Sequence, residues 1–204
     1  MSDSTRLLRA ERGLRTLYGV ALLMVALLVV ALLEAAPQSA VAAGDHAVDA
    51  PALPPAVVAL APGLRPQGGG EMTFFGLSIY DGWYWGDGPT WSTDRAYALD
   101  LHYHRNLDGA LIAQRSVDEM EKIGRSTAEQ RQRWGEAMRR IFPNVRKGDR
   151  ITGLHLAAGT VRYFHNGAPI GEIADDNFAQ AFFGIWLDPK TSRADFRRAL
   201  LGKE

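Results

Sequence analysis

His102 and His104 stand two residues apart in Tyr97–His104 (YALDLHYH), opposite Leu99, Leu101 and Tyr103. On a strand that spacing turns both imidazoles to one face, where they could grip a metal ion. A zinc site needs three or four ligands, and no third is placed by spacing. The pair therefore reads as solvated, and neither a metal site nor a cofactor is expected. The sequence has no cysteine, which removes disulfides, thiol nucleophiles and thiolate metal sites. Three of the five tryptophans fall within Asp81–Trp91 (DGWYWGDGPTW), among glycines. Such rings either build a binding surface or fold from a wide loop over a sheet edge, and packing is the commoner use. Gly68-Gly69-Gly70 lacks the following Lys-Ser/Thr and helix of a phosphate loop, and reads as a flexible lead-in without regular structure. Arg131, Arg133, Arg139 and Arg140 give one helix a basic face. The chain balances 23 basic against 23 acidic residues, so this face is expected to be solvated and no nucleic-acid partner is implied.

These residues need a scaffold. Gly148–Leu187 alternates in its first part, with Ile151, Gly153 and His155 on one side and Thr152, Leu154 and Leu156 on the other. Val161, Tyr163 and Ile170 continue the β pattern. Asn166-Gly167 suits the two positive φ angles of a type I′ hairpin turn. After Asp175 or Asp176, a natural N-cap, Phe178, Phe182, Ile185 and Trp186 recur at helical spacing in one broad apolar stripe. A strand meander thus feeds a helix that must cover a sheet, an α+β core. Thr73–Tyr80 (TFFGLSIY) and Tyr97–His104 read as strands. Asn106–Gly109 reads as a turn and Ala110–Arg115 as a returning strand. Ser116 with Glu119, Ser126 with Glu129, and Ser192 with Asp195 match capping boxes for three helices. Trp134, Met138, Ile141 and Phe142 form the stripe of the second.

At the amino end, Arg6, Arg9, Arg12 and Arg15 precede an apolar run of 17 residues, Leu17–Leu33. That length is short for a membrane span, about 17–25 residues, and long for the apolar region of a cleaved signal, roughly 7–15. Ala40-Val41-Ala42 matches a small-x-small cleavage site. Residues 1–43 read as a signal peptide or a membrane anchor, with possible membrane association through residues 17–33. Either way the body is expected to be periplasmic, or anchored to the inner membrane outside the cytoplasm. Five prolines among alanines make residues 44–66 an extended linker, leaving residues 67–204 as the folded domain.

The blocks FGLSIYDG (75–82), LDLHYHR (99–105), IFPNVRKGDRI (141–151), HNGAPIGEI (165–173), FAQAFFGIWLDPKTS (178–192) and ALLG (199–202) together resemble the chalcone isomerase-like family, and its exported bacterial branch in particular. The resemblance spans Gly63–Gly202, about two thirds of the chain. It implies an open-faced antiparallel β-sandwich with helices packed on one side and a cleft between sheet and helices. Family enzymes close chalcones to flavanones with an early arginine, an early threonine and a late helical threonine. Aligned through these blocks, the threonine positions hold Phe75 and Ile185, and Arg65 lies two residues out of register. Losing a hydroxyl donor to a developing oxyanion costs about 2.7–4 kcal/mol each, which argues against flavanone chemistry.

The resemblance then implies a non-catalytic binder of a fatty acid or similar small amphipathic ligand, as in non-enzymatic relatives. Arg65, Tyr80, Tyr103 and Arg105 are candidates for its head group, with Phe75 and Ile185 in the cleft. Two other readings stand beside it. One is an isomerase or intramolecular lyase acting on an enone or chalcone-like carbonyl compound, with His104 or His155 as base. The other is an envelope scaffold presenting the tryptophan loop.

Overall fold

A computed structural model describes residues 50–87, 90–156 and 159–203. The apolar run at 17–33 and the cleavage motif at 40–42 lie outside the described residues. The segment His46–Glu204 forms one compact unit. Six strands, β1 (Arg65–Phe74), β2 (Leu77–Gly86), β3 (Tyr97–Tyr103), β4 (Arg150–Leu156), β5 (Thr160–His165) and β6 (Ala168–Ala174), form a single sheet in chain order, every pair antiparallel. Among the described residues five helices accompany it: α1 (Pro55–Leu60), α2 (Gly109–Ile123), α3 (Ala128–Ile141), α4 (Asp176–Leu187) and α5 (Ala194–Leu200). This is the expected α+β fold, an open antiparallel sheet with α2–α5 packed on one side.

The front of the sheet presents Tyr84, Leu99, Leu101, Tyr103, Ile151, Val161 and Tyr163 to α2–α5 in one core. The alternation read over Ile151–Leu156 places these faces as expected. The β5–β6 turn is Asn166-Gly167, with φ of 50° and 84°. Asp175 caps α4, accepting from Asn177 N at 2.9 Å, and its other oxygen accepts from Trp134 Nε1 of α3 at 2.9 Å. The cap thus also ties two helices together.

Several local readings are corrected. Thr73–Tyr80 is not one strand but the tip of the β1–β2 hairpin: Phe74 pairs with Leu77, and Phe75-Gly76 make the two-residue turn at φ of 48° and 73°. The three glycines are not a flexible lead-in. They are paired within β1, where Gly68 and Gly70 keep the strand thin under α5 and Gly69 leaves room for the Trp83 ring. A Cβ on Gly68 would overlap the backbone of Ala199, Leu200 and Gly202, and one on Gly70 would press on the Ala199 side chain. Ala110–Arg115 is helical. Asp108 accepts from Ala110 N at 2.7 Å and starts α2 before Ser116, whose hydroxyl instead donates to Ile112 O at 2.9 Å. The box opening α3 lies one residue later than read, on Thr127 and Gln130. Ser192 donates to Glu119 at 2.8 Å rather than capping α5.

The tryptophan stretch is no loop in its first half. Asp81–Gly86 continues β2, and Trp83 and Trp85 point to the back of the sheet. There they pack with Ala98, Leu154 and Phe164 under Leu53, Val57, Ala61 and Leu64. The described part of the proline-rich segment is therefore not a linker standing off the domain. Pro55 opens α1, where a missing N–H costs nothing, and the segment covers the sheet's second face. Trp83 and Trp85, the two rings named in the scaffold reading, are buried there rather than displayed on a loop.

Replacing Gly68 by alanine is expected to lower stability by about 1–3 kcal/mol, the usual cost of overpacking. Gly63→Ala, with open space around the added carbon, should leave the thermal midpoint unchanged. Thermal unfolding of the two variants checks the pair.

Candidate functional site

Between the front of the sheet and α4 lies a seam. Its floor is Leu99, Leu101, Ile151, Gly153 and Tyr163, and its roof is Phe182, Phe183 and Trp186. The void they enclose is about 20 Å³, room for about one water molecule. Ligand pockets for drug-sized molecules are roughly 300–1,000 Å³, so the seam is closed in this state. Phe182 meets Tyr163 edge to face at 5.5 Å and Trp186 at 5.4 Å between ring centres. The Tyr163 hydroxyl is buried and has no hydrogen-bond partner among the described residues. Burial, and the neighbouring Tyr97, push its pKa well above the usual tyrosine value, so it stays a neutral donor.

Of the six candidate residues, the structure gathers three near this seam. The Tyr80 hydroxyl accepts from Trp186 Nε1 at 2.9 Å. The ring of Tyr80 is partly exposed, but burial of its hydroxyl end pushes the pKa up to about 12, with the Trp186 bond opposing. Tyr103 is buried against it, edge to face at 5.7 Å. Ile185 is buried in the same core, its carbonyl accepting from the Thr191 hydroxyl at 2.6 Å. The other three lie elsewhere. Arg65 is spent on the carbonyls of Pro62 and Leu64, at 3.1 and 2.9 Å. Arg105 is exposed, its Nε donating to Ser78 O at 3.0 Å. Phe75 sits on the hairpin tip, 90% exposed. The expectation that Phe75 lines the cleft is corrected: an ungapped alignment carries that residue inward, but the two-residue turn takes it out of the strand.

Neither histidine offered as a base lines the void. His155 stacks on Tyr97 at 4.6 Å, and its Nε2 meets Thr93 O at 2.9 Å. Burial lowers its pKa, with the Thr93 bond opposing, so it is neutral at neutral pH. His104 lies at the sheet surface, 3.0 Å from Asp81. It forms with Glu71 and Asp81 a set of ligand atoms within 4.8 Å of one another. The sequence reading paired His104 with His102 instead; the strand pairing of Glu71 with Asp81 supplies the acids that spacing along one strand could not reveal. His102 turns to Asp100 at 3.1 Å.

Asp100 is the polar feature that periodicity conceals. It shares the face of β3 with His102, away from Leu99 and Leu101, yet it is fully buried on that back face. Arg150 grips it through Nε at 2.7 Å and Nη2 at 2.6 Å, and the Thr152 hydroxyl donates at 2.7 Å. Arg150 Nη2 also donates to Ala52 O at 3.0 Å, so the same cation fastens the segment that covers the back face. Burial by itself would raise the Asp100 pKa. The bonds from His102, Arg150 and Thr152 outweigh it and hold the carboxyl below the usual range.

A single antiparallel sheet, helices on its front and an apolar seam between them define the open-faced fold of chalcone isomerase relatives. The chain belongs to the chalcone isomerase-like family, whose sequence model matches residues 91–202. It is similar to an uncharacterized protein of Haemophilus influenzae, 27% identical over 141 residues, 68% of each chain. Among solved structures it is similar to a fatty-acid binding protein of Arabidopsis thaliana. That likeness has a TM-score of 0.51 at 13% identity and covers 68% of this chain and 87% of the other; at such identity it speaks to fold.

Removing the Asp100 charge should leave the half-buried Arg150 guanidinium without its counter-ion. Asp100→Asn is expected to cost about 3–5 kcal/mol in denaturant unfolding. The folded-state pKa is depressed, so this stabilisation is present above the unfolded value, about 3.9, and is lost as pH falls through the folded one. The variant should therefore show a shallower acid limb in its stability–pH curve than the parent.

Proposed function

We propose that the chain is a non-catalytic binder of a fatty acid or similar small amphipathic ligand, taken into the seam between α4 and β3–β5. The observation that carries the reading is the lining. The void is walled by aliphatic and aromatic side chains with no polar atom opening onto it, and Tyr163, whose ring is part of the wall, carries a buried hydroxyl with no partner among the described residues. A neutral donor in an apolar seam suits a carboxylic acid or carbonyl head group. The fold shared with a fatty-acid binding protein supports the same reading. General acid–base catalysis needs a titratable group within reach of the reacting atoms, and among the described residues lining the void there is none apart from that high-pKa phenol.

The seam admits a chain only if α4 separates from the sheet, so binding couples to an opening motion. Trp186 lies on that helix and donates to Tyr80 across the seam, which makes its indole the natural reporter. We place the body outside the cytoplasm, a reading supported by the arginine-flanked apolar run at 17–33.

Titrating the protein with a bromine-labelled fatty acid should quench tryptophan fluorescence, and Trp186→Phe should remove most of the quenching. Gly153→Val, which fills the floor of the void, should weaken uptake. Tyr163→Phe should keep or raise stability, since it deletes an unsatisfied buried hydroxyl, while weakening binding by a few-fold to tenfold, the equivalent of about 1 kcal/mol for one neutral hydrogen bond. Protein purified without lipid that also takes up no fatty acid of any chain length would overturn the reading.

A further inference from the structure

The hairpin tip serves neither the core nor the seam. Phe75 is 90% exposed, Phe74 51% and Leu77 48%, and Leu111 of the adjoining helix α2 is 69% exposed. The Phe74 and Phe75 rings meet edge to face at 4.5 Å. Phe75 holds φ at 48°, a left-handed conformation that glycine or asparagine adopts readily and a bulky aromatic does not. A strained, solvent-facing phenylalanine followed by glycine is a poor choice for folding alone. Such an outlier points to use of the side chain outside the molecule.

The neighbours of this tip are cationic. The Arg115 guanidinium lies 5.7 Å from the centre of the Phe74 ring. Arg193 donates to the carbonyl of Thr73, and Arg105 to that of Ser78 at 3.0 Å. Glu119 pairs with Arg115, and Asp195 with Arg193. Glu119 keeps only 8% of its side chain exposed against 56% for Arg115, so the guanidinium is what that pair shows to solvent. Among the described residues no carboxylate forms an ion pair with Arg105. Protruding apolar rings with arginines behind them match the two layers of an anionic bilayer surface: acyl chains for the rings, headgroup phosphates for the guanidinium groups.

We propose that the β1–β2 hairpin tip, Phe74-Phe75-Gly76-Leu77, together with the exposed Leu111 one turn before Arg115 on α2, inserts into the interfacial layer of an anionic membrane, with Arg105 and Arg115 against the headgroups. This rests on the tip and not on the ligand seam, so it stands whether or not the seam takes a fatty acid.

The cysteine-free chain permits a direct test on the full-length protein. Leu77→Cys is labelled with a polarity-sensitive dye, and Glu172→Cys, on the opposite edge strand β6, serves as control. With vesicles of phosphatidylglycerol and phosphatidylcholine, the Leu77 label is expected to shift to the blue and to be quenched by lipid-borne spin labels. The Glu172 label should do neither. Phosphatidylcholine alone, or high salt, should weaken the signal. Phe75→Asn creates the preferred Asn-Gly turn, so it should hold or raise the thermal midpoint while bringing the Leu77 signal down to the control. Leu111→Ser, which leaves the turn intact, should reduce it as well. Equal signals at the two label sites, no loss on Phe75→Asn, equal signals on neutral vesicles, or a blue shift that grows with protein concentration in the absence of lipid would each overturn the proposal, the last in favour of a second copy as the occupant.

Discussion

A helix buried on nearly every side cannot lie on a protein surface, and α4 is such a helix from Ala181 to Leu187. Nine of its twelve residues are buried, far more than the single stripe of an amphipathic surface helix requires. It needs a sheet beneath it and other elements along its flanks. The strand alternation in β3–β5 supplies the first, with Leu99, Leu101, Ile151 and Tyr163 on one face. The second comes from α2 and α3. Arg125, after α2, ion-pairs with the buried Asp188 that caps the carboxyl end of α4, and Trp134 of α3 bonds the Asp175 that caps its amino end. Both caps of the buried helix are thus held by side chains from other elements. Asp175 itself accepts from the free N–H of Asn177, and the two ties fix α4 along its axis while leaving its packing on the sheet to apolar contacts.

That division bears on function. Apolar contacts are numerous and non-directional, and they can be exchanged for contacts with a ligand of the same character. A seam closed by Phe182, Phe183 and Trp186, with one hydrogen bond from Trp186 to Tyr80 across it, separates more readily than one closed by an ion-pair network. The back of the sheet is built the opposite way. Asp100, Arg150 and Thr152 place a fully buried charge among directional bonds, and Arg150 extends the lock to Ala52. A buried pair of this kind is a weak source of net stability but a strong penalty against any arrangement that separates it. The rigid face and the separable face therefore lie on opposite sides of one sheet.

The parts of the fold legible in the sequence were those in which a periodic signal and a local terminator agreed. Asn166-Gly167, Asp175 and the Phe178–Trp186 stripe each carry their own geometry, and each appears where it was read. The failures share a cause, which is long-range packing overriding a local preference. Glycines at 68–70 signal disorder only when nothing lies against them, and here α5, more than 120 residues later, lies against Gly68 and Gly70, and Trp83 against Gly69. The ALIAQR segment has no strong propensity for a strand, but Asp108 supplies a cap that turns it helical. Prolines at 51, 54 and 55 look like a spacer until Trp83 and Trp85 provide a surface to cover. Alternation along β3 reports which face Asp100 occupies. It cannot report whether that face is covered.

The site was the least legible part, for a related reason. Candidates for a head group were chosen by residue type, and types with long charged side chains are also those that stay at the surface. Arg65 and Arg105 do so, bonding backbone carbonyls nearby, while the seam is lined by residues that read simply as core. Tyr163 differs from an ordinary core residue only in a hydroxyl without a partner, a property of the folded chain that no spacing encodes. Phe75 is the converse case. Its sequence position, two residues into an apolar TFFGL run, argues for burial. Its conformation and exposure argue that the residue is retained for something outside the fold. Where every level of local preference is violated with no compensating contact inside the molecule, the compensation has to be sought in what the molecule meets.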